Sequence, residues 1–294
     1  MEVDEAVSAT EALPIYVVGD SHALPYQNMI FRDHRTERWI VVHSKYISGL
    51  TAHDFFARET DEFHSEFIRF LEYEGLVRDA RATHLSQSEI DLSISKAAQQ
   101  PATSPLILIC VGDIDLRGAI MPMLADTHDF IPPFETTIAA LDRPLVPWAL
   151  IDEAISNRIA PLEAGLKRLN ECGFNRIYVQ AVVPPTRNEA RIGQLHGFTC
   201  PVSVRTKLVQ AFNRTLGNAC TSANAVFLDL WPQFTDCDYL RPELEVDGVH
   251  LPPQRSQQIA RAMLEHAINC QWLAVNHVRY DLYYQMACGR SPFA

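Results

Sequence analysis

Five apolar runs set the folding problem for this chain. Ile15-Tyr16-Val17-Val18, Trp39-Ile40-Val41-Val42, Leu106-Ile107-Leu108-Ile109-Cys110-Val111, Arg176 to Val183 and Val226-Phe227-Leu228-Asp229-Leu230 are rich in bulky apolar residues. They lack the strict apolar-polar alternation of a half-exposed strand, and a strand apolar on both sides has to be covered on both sides. Helix-like stretches lie between them. Ala52 to Glu74 carries Phe55, Phe56, Phe63, Phe67, Phe70 and Leu71 at roughly helical spacing, Ser88 to Gln100 is a further helix, and Ile151 to Cys172 is a long amphipathic one closed by Gly173. Val202 to Ala219 and Gln254 to Ile268 complete the set. Strands alternating with helices predict an α/β fold with a parallel sheet covered on both faces. Leu116 to Arg143, with four prolines in or beside it, is expected to be loop or short helices, and the polar stretch from Thr186 to Pro201 an insertion able to cover a cleft.

The chemistry-bearing residues sit where the apolar runs stop. The first run ends in Gly19-Asp20-Ser21-His22. Just past the carboxyl end of a strand in an α/β sheet is where ligands bind, which makes Ser21 a candidate nucleophile; an alternative use of Ser21 is as a helix N-cap. Near the other end, Asp247-Gly248-Val249-His250 puts an acid three residues before a histidine. On a loop, that spacing lets the carboxylate fix the imidazole tautomer while the other ring nitrogen faces a serine hydroxyl. An Asp-Gly turn beside a surface histidine is the plainer alternative.

Together the two ends resemble the SGNH or GDSL hydrolase family, whose first block carries Gly-Asp-Ser and whose last carries Asp-x-x-His. Two middle segments extend the resemblance in the right order. Tyr46-Ile47-Ser48-Gly49-Leu50-Thr51 looks like the family's Ile-Ser-Gly-x-Thr turn, with Gly49 in the place of a backbone oxyanion donor. Gly112-Asp113-Ile114-Asp115 stands where the family has Gly-x-Asn-Asp, so Ile114 replaces the asparagine that supplies a side-chain donor. Arg117 either brings positive charge in its stead or pairs with Asp113 or Asp115 and holds the loop. The resemblance, running from about Leu13 to about Asn269, implies a flavodoxin-like three-layer α/β/α sandwich. It also implies acyl transfer through an ester at Ser21, with His250 as base, Asp247 as its orienter, and the N–H groups of Ser21 and Gly49 holding the oxyanion. Asp20, His22, Asp113, Asp115 and Arg117 are expected as site neighbours. The substrate implied is a small-molecule or carbohydrate ester, with no cofactor and no metal.

Two other readings compete. Asp20-x-His22 and the Asp113/Asp115 pair are similar to the metal-binding blocks of metallophosphoesterases, although no Gly-Asn-His-Glu follows. The fold retained without turnover, as a binding or scaffolding protein, is the reading that Ile114 favours.

Composition narrows the class. With 47% hydrophobic and 21% charged residues, 294 residues can bury one large core. A net charge of -11 argues against sequence-independent nucleic-acid binding, which needs clustered Lys and Arg. Seven cysteines without a CxxC pair read as reduced thiols, and no run reaches the roughly 18 apolar residues of a membrane span, so a cytoplasmic protein is expected. The organisation expected is an acidic tail over 1–12, a hydrolase-like domain over 13–269 and an aromatic extension over 270–294. The extension, with Trp272, Tyr280, Tyr283, Tyr284 and Phe293, is expected to pack on the domain or on a second subunit.

Overall fold

The computed structural model describes residues 13–33, 38–76, 105–124, 127–136, 138–196 and 200–269. The expected acidic tail, the helix over Ser88 to Gln100 and the aromatic extension lie outside them.

All five apolar runs are strands of one sheet. They are β1 (Leu13–Gly19), β3 (Arg38–Tyr46), β4 (Leu106–Cys110), β5 (Ile177–Gln180) and β6 (Val226–Leu228), joined by a short β2 (Ile30–Asp33). The order across the sheet is β2-β3-β1-β4-β5-β6. Every neighbouring pair is parallel except β2 with β3. The expected parallel sheet is present, with one antiparallel strand added at its edge. Ile30-Phe31-Arg32-Asp33 pairs on one side only, and of its four residues only Phe31 is buried, so it lacks the apolar run of a central strand.

Side-chain alternation along β1 makes the layers. Tyr16 and Val18 join a core with Phe67 and Phe70 of α1 (Ser65–Tyr73), Ile155 and Leu162 of α2 (Trp148–Glu171) and Leu208 and Phe212 of α4 (Val202–Ser222). Ile15 and Val17 point the other way, into a second core with Ile259, Met263 and Leu264 of α5 (Pro253–Asn269). One sheet between two buried helical layers is a three-layer α/β/α sandwich.

Two segments depart from their expected form. Of Ala52 to Glu74 only α1 is helical; Phe56-Ala57 pairs with Glu62-Phe63 in a small hairpin. Phe55 and Phe56 are buried as expected, but from a loop that packs on Gly165 of α2. The stretch from Thr186 to Pro201 contains α3 (Glu189–His196), within what reads as irregular chain.

The sheet fixes the end of β1 tightly. The Gly19 carbonyl accepts the Ile47 N–H at 2.8 Å and the Asp20 N–H donates to the Cys110 carbonyl at 3.1 Å, so the chain leaves β1 held between β3 and β4. Gly19 is required by this approach: a Cβ there would lie 2.1 Å from the Cys110 carbonyl oxygen, a backbone atom that cannot swing aside. Gly19→Ala is therefore expected to lower unfolding free energy by about 1–3 kcal/mol or more, the usual cost of overpacking. Urea denaturation checks this, and an unchanged midpoint would show that the two strands separate at no cost.

Candidate active site

The Ser21 segment is shaped by Asp20. A short 3-10 helix runs from Ser21 to Tyr26, and its N-cap is Asp20, whose Oδ1 accepts the His22 N–H at 2.9 Å. Ser21 is thus not the cap; its half-buried hydroxyl is left for other work at the carboxyl end of β1.

Across the site, the Asp247 carboxylate divides its two oxygens. Oδ1 accepts the backbone N–H groups of Val249 at 3.0 Å and His250 at 2.8 Å, which closes the loop, and Oδ2 sits 2.6 Å from His250 Nδ1. Partial burial opposes ionisation, but these N–H and imidazole partners outweigh it and hold the Asp247 carboxyl down at about 2. With Nδ1 engaged by a carboxylate, Nε2 is left as the basic nitrogen. It is buried and makes no hydrogen bond among the described residues. The expected bond from Ser21 Oγ to Nε2 is accordingly not formed.

His22 joins the two halves. Its Nδ1 lies 2.8 Å from Asp20 Oδ1 and its Nε2 lies 3.2 Å from the carbonyl oxygen of Val249, while its ring centroid is 5.1 Å from that of His250. A carboxylate and a carbonyl are both acceptors, so both bonds exist together only when both ring nitrogens carry protons. Burial alone pushes this imidazole down; the charge and hydrogen bond of Asp20, the charge of Asp113 and the Val249 carbonyl raise it to about 9. His22 is an imidazolium at neutral pH, and it clamps the residue after the candidate nucleophile to the residue before the candidate base.

Gly49 lies in a turn closed by the Leu50 N–H on the Ile47 carbonyl, at 3.2 Å, and its φ of +74° is one that side chains resist. Neither the Gly49 N–H nor the Ser21 N–H donates to a described group. The loop after β4 supports this turn from below. Buried Asp115 accepts the N–H of Ala52 at 2.7 Å and of His53 at 3.4 Å, and burial pushes its carboxyl up to about 6 despite them. Arg117 pairs with Asp113, Nε to Oδ2 at 2.5 Å, so it holds its own loop. Ile114, half-buried between the two acids, offers no donor.

Sequence reasoning missed three contributors. The first is the pairing of Asp20 with His22; the second is the Val249 carbonyl. The third is buried Gln180 at the end of β5, whose Oε1 accepts from Tyr26 Oη at 2.6 Å and from Cys110 Sγ at 3.6 Å. Gln180 lines a small cavity with His22, Cys110 and Asp113. Burial and the Asp20 charge push the Cys110 thiol well up, so it is no rival nucleophile. Among the described residues no group of three or more His, Cys, Asp or Glu is placed to hold a metal ion.

No protein-family model and no curated protein matches the chain. Among solved structures it is similar to a Streptococcus pneumonia protein described as a platelet activating factor, at 14% identity over 87% of this chain and 84% of that one, with a TM-score of 0.46. It is also similar to an acylhydrolase from Bacteroides fragilis NCTC 9343, at 11% identity over 88% of each chain and a TM-score of 0.42. A GDSL-like lipase from Parabacteroides merdae ATCC 43184 aligns at 14% identity over 88% of this chain and 97% of that one, again at 0.42. The Ser21, Gly49, Asp115 and His250 segments follow strands of the layered sheet in that order.

The His22 clamp has a pH signature. Its folded value of about 9 lies above the ordinary 6.5, so its stabilisation is complete below pH 6.5 and is lost as pH rises through about 9. The loss amounts to about 3 kcal/mol at most. Melting temperatures from pH 6 to 10 are expected to fall more steeply for the wild type than for His22→Gln. Parallel curves would contradict a charged His22.

Proposed function

We propose that the protein is a serine esterase or acyltransferase acting through an acyl-enzyme at Ser21. One observation carries this reading. An imidazole oriented by a carboxylate presents a buried, unpaired basic nitrogen on the loop that His22 holds against the Ser21 segment. A buried acceptor without a partner is costly, and a serine hydroxyl swung by a rotamer change, or the alcohol of a bound ester, supplies the missing donor.

In the reaction, Ser21 Oγ attacks the ester carbonyl carbon as its proton passes to His250 Nε2. The Asp247 carboxylate stabilises the imidazolium so formed. The N–H groups of Ser21 and Gly49 take the oxyanion. Collapse expels the alcohol, which leaves with the proton from His250, and the acyl group stays on Ser21. Water, or the hydroxyl of an acceptor, then attacks the acyl-enzyme with its proton taken by His250, which releases Ser21. Among the described residues Cys110, Cys220 and Cys237 are free thiols, which supports a cytoplasmic setting. No described helix is long and apolar enough to cross a membrane.

Binding without turnover is the second reading, and Ile114 together with the unformed Ser21–His250 bond favours it. Removal of one oxyanion donor typically costs about a hundred- to a thousand-fold in turnover. Two variants separate the readings on p-nitrophenyl acetate. Ser21→Ala is expected to lower turnover by about a thousand-fold or more without shifting the melting temperature. Ile114→Asn is expected to raise turnover at least about ten-fold, by returning an amide donor to the oxyanion site. Wild-type turnover at the level of Ser21→Ala, with no gain from Ile114→Asn, would leave binding as the function.

A further inference from the structure

A cleft of about 260 Å³ opens between the strap that follows β5 and the turns that follow β6, near the lower end of small-molecule pockets, roughly 300–1,000 Å³. Thr186, Arg187 and Asn188 of the strap form one wall. Asp236 and Leu240, with Pro242 and Glu245 of the next turn, form the other.

The walls are fixed before any ligand arrives. Cys237 and Asp238, at φ +47° and +68°, make the two-residue turn of a tight hairpin in which Asp236 stands opposite Tyr239 and Thr235 opposite Leu240. Asp238 Oδ1 accepts from Trp231 Nε1 at 3.0 Å and from Gln210 Nε2 at 3.3 Å, which pins that turn to α4. The Leu240 N–H donates to the Pro185 carbonyl at 2.9 Å, and buried Arg205 donates from Nη2 to the Thr186 carbonyl at 3.3 Å, so hairpin, strap and α4 are tied together. The Glu245 carboxylate is engaged by the strap, accepting from Thr186 Oγ1 at 2.5 Å and from Asn188 Nδ2 at 3.5 Å.

Two charged side chains in these walls stay open. The exposed Arg187 guanidinium lies 4.6 Å from the ring centre of Tyr239 and makes no hydrogen bond or ion pair among the described residues. The exposed Asp236 carboxylate accepts, among the described residues, only from the Cys237 thiol at 3.5 Å. Cross-strand partners such as Asp236 and Tyr239 stand about 5 Å apart at Cβ, so a guanidinium held over Tyr239 and the Asp236 carboxylate are neighbours that do not meet. A lone anion at Arg187 would lie near Asp236 and Glu245, and a lone cation at Asp236 would lie near Arg187. A ligand with both charges on one carbon avoids each conflict: its carboxylate takes the guanidinium fork and its ammonium group takes Asp236. Leu240 and Pro242 leave a short apolar wall for an aliphatic side chain. We propose that this cleft binds a free α-amino acid with an aliphatic side chain. Binding here is independent of the roles of Ser21 and His250.

Isothermal titration calorimetry of the full chain tests this with L-leucine, with isocaproate, which lacks only its ammonium group, and with isoamylamine, which lacks only its carboxylate. L-leucine is expected to bind with a dissociation constant of about 1 mM or tighter, and each analogue at least about ten-fold more weakly. Arg187→Ala and Asp236→Ala, both at exposed positions, are each expected to weaken L-leucine about ten-fold or more at an unchanged melting temperature. No binding of L-leucine up to about 10 mM overturns the proposal, and so does an analogue that binds as well as L-leucine. The analogues put the question to the unaltered protein, whatever a substitution does to folding. A folded variant at either position that binds L-leucine like the wild type overturns the proposal as well.

Discussion

The hydrogen bond from His22 to the Val249 carbonyl ties together segments 227 positions apart in the chain. The rest of the proposed site depends on it, because a candidate nucleophile at the end of β1 and a candidate base near the start of α5 can act together only if the two loops keep a fixed separation. An imidazolium suits this task. It donates in two opposite directions, to Asp20 on its own side and to Val249 on the other, and neither acceptor can reverse the roles. Burying the charge is costly by itself, and the paired carboxylate of Asp20 makes it tolerable.

The sheet sets where that clamp stands. Gly19 lets β1 approach β4 more closely than any side chain would allow, and the two bonds around it hold Gly19 and Asp20 between β3 and β4. The loop after β4 then works as a support. Asp115 holds the turn that carries Gly49 by two backbone N–H groups, and Asp113 is occupied by Arg117. The segment that carries Ile114 therefore shapes the turn that carries Gly49 through the acid that follows it.

Much of this was legible in the sequence for physical reasons that also mark the limits. Central parallel strands must be apolar on both faces, so β1, β3, β4, β5 and β6 announce themselves as runs; the edge strand β2, paired on one side, does not. The Asp247–His250 pair is legible because its bonds span three residues. Helix α2 ends where Gly173, at φ +94°, stops it. Phe55 and Phe56 read as helical because spacing alone cannot tell a helix face from a loop tucked against α2. What no local pattern reveals is a partner set by the tertiary fold: Val249 for His22, Gln180 for Tyr26, Glu245 for Thr186.

The proposed activation of Ser21 by His250 is open to a covalent test. The intact protein is treated with a fluorophosphonate, digested, and the modified peptide sequenced by mass spectrometry, with His250→Ala treated in parallel. A stoichiometric phosphonyl adduct on Ser21 is expected, forming much more slowly in the His250 variant. An unmodified Ser21 in folded protein, or an adduct formed equally fast without His250, would contradict it.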